Sequence, residues 1–430
     1  MNKYLFSSTM YLMSSQVLAI ILSLSTQIIL ARQLMPEGRG VYALCIVYAS
    51  LFILSTNLGN EFGIRFLLLK KKIRLFDSFF YLILTLFISL SVSVFLIFFL
   101  RYFDINFLQR VSAYQIILAL FFSATNVMCR QTNVLLTIEK KFKQASLIYV
   151  MDELLKLILL LLIVSRFKSV EFAFLSLIIA NIITLAFYTL FFDLIRLNSE
   201  NICLDNLRFI YKYGFHSFFT NLSNLANAHI GTLVLSIYLN NYKIGIYSVA
   251  YGLASRFQVL PDTLNRIFVP ISNDKEEKIN EKLSLFTSFL FYVMLIVVII
   301  IFLYGDFIVK ILFGNDYKES VLILKILSVG YLFKTLTKPF EALYNEIKGK
   351  PIIISILSVF GTLILGLSML IFSKFYGLIG AAIVASVTLT LMFLIILIFH
   401  KRTQKIKFYK YFNLIDVLNY FYLFFHKLKR

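Results

Sequence analysis

Residues 77–100 read DSFFYLILTLFISLSVSVFLIFFL, follow the basic cluster Lys70, Lys71, Lys72 and Arg74, and carry no charged side chain after Asp77. As a helix rising ~1.5 Å per residue the stretch spans ~36 Å, enough to cross a hydrocarbon core of ~30 Å. Lipid offers no hydrogen bonds, so a single segment crossing it must satisfy its peptide groups internally, and only a helix does so. Similar apolar runs between polar breaks recur along the whole chain. They predict about twelve spans near residues 4–31, 40–68, 77–100, 111–138, 142–165, 170–195, 207–239, 243–270, 282–304, 319–347, 351–373 and 377–400. The expected fold class is therefore an all-α polytopic membrane protein. Composition agrees: 60% of the 430 residues are apolar, 15% are charged and the mean hydropathy is +0.85, which is far from a soluble domain.

The formal net charge of +20 would suit a nucleic-acid binder, but the basic residues lie between apolar spans and form no polar domain. Nucleic acid is therefore not an expected partner. If the N-terminus is cytoplasmic, the inner loops and tail hold about 25 Lys and Arg against about 10 outside. That asymmetry predicts both termini inside, with anionic membrane lipids facing the basic loops. Lys70, Lys71, Lys72, Arg74, Lys140, Lys141 and Lys143 are among the inner residues. The N-terminal apolar run is too long for a secretory signal and lacks a small-residue cleavage site, so it reads as the first span. Cys45, Cys129 and Cys203 are scattered, and His216, His229, His400 and His426 form no ligand motif; no metal and no cofactor are expected.

The polar stretch Arg196 to Leu207 divides the chain into six-span halves, 1–200 and 201–400, and an even number of spans per half makes them parallel repeats. A short echo supports this: Gly40-Val41-Tyr42-Ala43 opens the second span of one half and Gly245-Ile246-Tyr247-Ser248 the second span of the other. Residues 401–430 begin with basic Lys401 to Lys410. An aromatic stretch, Tyr411 to Phe425, follows and is broken by Asn413, Asp416 and Asn419. It reads as an interfacial helix on the anionic leaflet or as a disordered tail.

Ionisable groups at bilayer depth cost a few kcal/mol and normally face protein interior or water, so they are the functional candidates. Lys156, Arg256 and Lys334 lie ~20–22 Å along their spans, near mid-depth, while Arg65 and Arg130 lie closer to the inner ends. Asp152 and Lys156, Glu61 and Arg65, and Asp262 and Arg266 are spaced to neutralise each other on one helix face. Arg256, Arg130 and Lys334 have no acidic residue three or four positions away. Lys334 and Lys338 place two like charges on one face with only Glu341 near. A wet, positively lined cavity accounts for them; snorkelling to headgroups is the alternative for Arg130 and Lys338. Arginine grips phosphate or carboxylate bidentately and keeps its charge. The candidate path residues are Arg65, Arg130, Lys156, Arg256 and Lys334.

Two stretches carry a resemblance. Leu30-Ala31-Arg32-Gln33-Leu34-Met35-Pro36-Glu37-Gly38-Arg39-Gly40-Val41-Tyr42-Ala43, with Leu58-Gly59 and Arg65 beyond it, resembles the joint between the first two helices of the Wzx-type polysaccharide flippases of the multidrug/oligosaccharidyl-lipid/polysaccharide exporter superfamily. Ile311-Leu312-Phe313-Gly314-Asn315-Asp316-Tyr317, then Leu322 to Leu327, is similar to that family's segment before its tenth helix. Pro36 and Gly38 suit a reversal, and Gly40 permits close backbone approach.

The resemblance implies a MATE-like, V-shaped pair of six-helix bundles rocking around a central cavity. It implies translocation of undecaprenyl-diphosphate-linked oligosaccharide, O-antigen or capsule units, across a bacterial inner membrane from the cytoplasmic leaflet. A polysaccharide polymerase and a chain-length regulator are the implied partners. Such proteins are thought to exchange ions, and Glu61, Asp152 and Glu153 are the candidate sites for H+ or Na+ coupling.

An enzyme, either a membrane polysaccharide polymerase or a glycosyltransferase, is the rival of a different class. It would need a large external loop or acidic pairs, and the longest external connection expected here, Gly305 to Glu319, has only Asp306, Asp316 and Glu319. A multidrug/cation antiporter would line its cavity with carboxylates. Peptidoglycan-precursor flippases share an anionic cargo but are expected to be longer by two helices.

Overall fold

The structure, a computed structural model, describes residues 3–102, 110–191, 203–262, 265, 276–404 and 412. Among these it is helical throughout, with α1 Lys3–Asn57, α2 Asn60–Leu69, α3 Leu75–Tyr102, α4 Ala113–Ile138, α5 Phe142–Phe167, α6 Val170–Phe191, α7 Leu204–Tyr238, α8 Asn241–Ser255, α9 Glu276–Phe313, α10 Ser320–Ala342 and α11 Pro351–Gln404. Seven of the described helices are long and apolar enough to cross a membrane.

Two of these helices are pairs of spans. In α11 the non-helical residue is Gly377, at φ 55° and ψ −134°. A β-carbon on Gly380 would lie 2.5 Å from the carbonyl oxygen of Phe372; eight residues of straight helix would separate the two by ~12 Å, so the chain folds back there. In α1 the break is Met35, at φ 57° and ψ 170°, just before Pro36. Proline has no amide hydrogen and clashes with the preceding turn. Arg39 Nη2 then donates to Gln27 Oε1 at 2.5 Å, across twelve residues that a straight helix would hold ~18 Å apart. Counted this way, with α2 completing the span begun in α1, the seven helices make nine spans, and α5, α7 and α8 lie where three more are expected, about twelve among the described residues.

Two boundaries differ from the sequence expectation. The span 40–68 is interrupted at Leu58 and Gly59, both left-handed at φ 49° and 73°, so α2 starts afresh. Gly305 and Asp306 read as the start of a loop, yet α9 continues to Phe313 because Lys325 of α10 meets the Asp306 carboxylate at 3.3 Å. The connection to α10 shrinks to Gly314–Glu319, with a 3-10 turn at Asn315–Tyr317.

By contact the chain groups into two units, Met1–Gly245 and Ile246–Arg430. The sequence division falls near residue 200, whereas α7, just beyond it, packs with the first unit. The cause is glycine. A β-carbon on Gly59 would lie 2.8 Å from the carbonyl of Gly214, and one on Gly63 would lie 2.7 Å from Ile210 Cα. The Tyr81 hydroxyl also accepts from Cys203 N at 3.0 Å at the start of α7. Elsewhere in this unit hydroxyls pair across helices, with Thr56 Oγ1 2.5 Å from Ser89 Oγ and 3.0 Å from Ser93 Oγ. Such bonds replace the hydrophobic drive that lipid cannot supply. Ser112 and Gln115 form a reciprocal cap that starts α4.

In the second unit α10 lies against α11, where the Ser386 hydroxyl enters the backbone ladder of α10. It accepts from Gly330 N at 3.1 Å and donates to the carbonyl of Ile326. Large apolar side chains such as Ile299, Leu303 and Phe307 of α9 face outward, the arrangement lipid requires. Residues 405–411 and 413–430, which hold nearly all of the tail beyond Lys401, lie outside the described residues.

Gly330→Leu should push α10 off α11 at a cost of about 1–3 kcal/mol, read as a lower midpoint of thermal unfolding in detergent. Gly252→Ala, where a β-carbon would meet nothing within 4 Å, should leave that midpoint in place.

Candidate functional site

In the first unit the candidate residues converge on α2, α4, α5 and α6. Lys156 and Asp152, one turn apart on α5, are buried and bonded at 2.6 Å. Glu153 Oε1 is 3.8 Å from the same ammonium. Asn126 of α4 accepts from Lys156 at 3.3 Å, and Thr184 of α6 donates to the other Asp152 oxygen at 3.0 Å. Lys156 is therefore a buried ammonium ringed by oxygens and facing carboxylates at short range. It is not an exposed cation.

The expected Glu61–Arg65 pair is not made. Arg65 donates through Nε, at 3.1 Å, and through Nη2 to Gln131 Oε1 on α4, and its guanidinium lies 5.2 Å from the Phe62 ring centroid. Glu61 instead accepts from Asn57 at 2.8 Å. Both Arg65 and Arg130 remain within Coulomb range of Glu61. The Arg130 side chain is exposed and has no hydrogen bond or ion pair among the described residues.

In the second unit Arg256 opens a 3-10 turn, Arg256–Gln258, that packs on α10. It is half-buried, and among the described residues its guanidinium has no hydrogen bond or ion pair. Lys334 differs. Its ammonium is 3.4 Å from Glu341 Oε1, Lys338 is 3.0 Å from Glu341 Oε2, and Thr337 donates to Oε1 at 3.2 Å. Asp262 adds a second carboxylate 3.5 Å from Lys338. Its expected partner Arg266 lies outside the described residues. The two lysines thus share carboxylates, which removes the unfavourable like-charge face the sequence suggests.

Offsets of three and four along a helix do not reach from Lys334 to Glu341, so spacing alone leaves that counter-ion unassigned. Seven residues return to within about 20° of the same face, and two long side chains bridge the remaining rise. Gln131, Asn126 and Thr184 escape sequence reasoning for another reason: amides and hydroxyls are common in helix packing, and nothing in their own spacing marks them. Among the described residues no group of His, Cys, Asp and Glu could hold a metal ion.

These cations sort into two kinds. Among the described residues Lys156 and Lys334 are bonded to carboxylates and Arg130 and Arg256 are not, while Arg65 is bonded to a neutral amide, lies against a ring and, like Arg130, feels the Glu61 carboxylate at longer range.

Residues 29–322 match the family described as "Polysaccharide biosynthesis protein". The "Putative O-antigen transporter" of Shigella flexneri is 28% identical over 204 residues, 46% of this chain and 48% of that one; the chain thus spans about half the length of this curated relative. Among solved structures the fold is similar to a multidrug resistance MATE family transporter in an inward-facing conformation. The TM-score is 0.65 at 14% identity, covering 90% of this chain and 94% of that one. It is equally similar to the lipid II flippase MurJ in an inward closed conformation, TM-score 0.65 at 17% identity, covering 97% and 99%. A transporter of the same superfamily from Pyrococcus furiosus, whose binding pocket is described as having reverse polarity, gives 0.53 at 17% identity over 93% and 94%.

Lys156→Met alone should destabilise the protein by about 3–5 kcal/mol by stranding Asp152 in a buried site. Pairing it with Asp152→Leu should recover most of that loss, as a double-mutant cycle of detergent unfolding midpoints would read.

Proposed function

The chain belongs to the polysaccharide biosynthesis protein family, and on that footing we propose that it is a flippase. It carries undecaprenyl-diphosphate-linked oligosaccharide repeat units, O-antigen or capsule, from the cytoplasmic to the outer leaflet of a bacterial inner membrane by alternating access. The observation that carries this reading is Arg256, a half-buried guanidinium far along its span with no counter-ion among the described residues. A permanent cation there costs a few kcal/mol unless water or an anion attends it, and a diphosphate supplies the anion.

Arg65 and Arg130, near the end of the spans that carries Lys70 to Arg74, receive the diphosphate. Gln131 holds Arg65 with its fork partly engaged, while Arg130 is open. Arg256, near mid-depth by its place along its own span, is the cation that would attend the headgroup in the second unit. Lys334 can join in only by leaving Glu341, and Lys156 only by leaving Asp152, so both serve the path chiefly by holding their helices. On this reading both termini are cytoplasmic, as the excess of Lys and Arg in the loops expected inside implies. A polymerase and a chain-length regulator would act on the delivered units.

Coupling to H+ or Na+ is assigned to Glu61. Its carboxylate is held by a neutral amide, Asn57 Nδ2, whereas Asp152 and Glu153 face the Lys156 ammonium. A carboxylate without a bonded lysine is free to exchange its cation.

Two rivals fit less well. A cation antiporter would want carboxylates open to the path, and Asp152 and Glu341 are bonded to lysines. A polymerase or glycosyltransferase would need a catalytic acid pair, and Asp306, one of three acids in the Gly305–Glu319 connection, is bonded to Lys325.

Arg256→Ala should lower export of surface polysaccharide at least roughly thirtyfold, the equivalent of about 2 kcal/mol of lost headgroup binding, with protein level in the membrane unchanged. Lipid-linked oligosaccharide should accumulate on the cytoplasmic leaflet. Undiminished export by this variant would remove Arg256 from the path, and a changed drug sensitivity with intact glycan would favour the antiporter.

A further inference from the structure

The tetrapeptides Gly40-Val41-Tyr42-Ala43 and Gly245-Ile246-Tyr247-Ser248 echo each other in sequence, and their glycines meet in space. A β-carbon on Gly40 would collide with the carbonyl of Asn241, four residues before Gly245. One on Gly245 would collide with the carbonyl of Pro36, four residues before Gly40. The glycine nitrogens complete the contact: each is within 3.0 to 3.1 Å of the other's would-be β-carbon. The contact is reciprocal, so each segment presents the same groups to the other, as two copies do about a two-fold axis.

A second reciprocal contact lies further along α1, against α7, the helix before the one that carries Gly245. Gly59 would meet the carbonyl of Gly214 at 2.8 Å, Gly214 would meet the carbonyl of Leu58 at 2.8 Å, and Gly63 abuts Ile210. From Gly40 to Gly59 is ~28 Å of helix, close to the ~30 Å of a hydrocarbon core. The two crossings therefore sit at opposite faces of the bilayer. Along α7 the order is inverted, with Gly214 near its start and Gly245 just past its end. Both crossings are closed in this structure.

Close glycine crossings stick in lipid through van der Waals contact and weak Cα–H···O bonds, each worth well under an ordinary packed core. They hold two helices without locking them. Lipid-facing helices that never separate would do as well with interlocking larger side chains, which tolerate no sliding.

We propose that these two crossings are a pair of latches, Gly40 with Gly245 at one membrane face and Gly59 with Gly214 at the other, that open alternately during transport. The proposal rests on the alternating-access reading above. Backbone carbonyl against glycine is the whole of each latch, so one added methyl holds it open. Gly59 also needs its left-handed backbone, which makes Gly214 and Gly245 the positions to change.

The test is hydrogen exchange of the full-length protein in lipid nanodiscs, with wild type, Gly245→Ala, Gly245→Leu, Gly214→Ala and Gly214→Leu, and Gly252→Leu as the control with open space at its α-carbon. Gly245→Leu should speed exchange of amides 37–42 and 241–245 by about tenfold or more while leaving 60–63 and 210–214 unchanged. Gly214→Leu should do the converse, the alanine variants should show the same pattern more weakly, and Gly252→Leu should change neither. Gly245→Leu and Gly214→Leu should each also lose export of lipid-linked oligosaccharide, and Gly252→Leu should keep it. Loosening of both ends together, loosening of neither, or full export with one crossing held open overturns the latches. If the end-selective exchange holds but wild-type protein in liposomes moves no lipid-linked oligosaccharide, the latches stand and the cargo reading falls.

Discussion

A cation surrounded by hydrocarbon must have an anion, a dipole or water beside it, and that constraint orders everything else in this protein. Lys156 meets it with Asp152, and Lys334 and Lys338 meet it with Glu341 and Asp262. Arg65 meets it halfway, with an amide oxygen and an aromatic ring. Arg130 and Arg256 are bonded to neither carboxylate nor amide among the described residues, though Arg130 feels the Glu61 carboxylate at longer range. Closed charge pairs therefore meet the constraint at the lysines, whereas a guanidinium cannot escape it by losing a proton.

The membrane fold is legible in the sequence because a span needs only length and apolarity, both local. All twelve spans can be read from runs such as 77–100. Polar residues, however, do not always end a span: Gly305 and Asp306 look like a loop, but Lys325 supplies the carboxylate's partner and the helix runs on to Phe313. In the opposite sense, the apolar run 40–68 hides a break at Leu58–Gly59 that exists for a contact with Gly214, a residue far away in sequence. Close backbone approach at Gly40 is readable from the glycine itself. Its partner is visible only as an echo without a stated purpose.

The site is harder, for a physical reason. Charge at depth is visible in one dimension, but neutralisation occurs in three. The Asp152–Lys156 pair, at a spacing of four, can be read; the Lys334–Glu341 pair, at seven, falls outside the usual offsets; the Arg65–Gln131 contact, between helices, has no spacing to read. Three of the five candidate cations have bonded partners. The family match agrees with a part in polysaccharide biosynthesis and the solved structures with the fold, and the proposed cargo rests on the arginines that have no bonded carboxylate among the described residues.

Unneutralised guanidiniums in the spans should retain an anionic lipid headgroup, and native mass spectrometry of the purified protein with polyprenyl diphosphate and with uncharged polyprenol reads that retention. The diphosphate lipid is expected to stay bound through detergent removal and the polyprenol to be lost, with Arg130→Ala and Arg256→Ala together abolishing the difference. Equal retention of both lipids, or undiminished diphosphate binding by the double variant, would refute it.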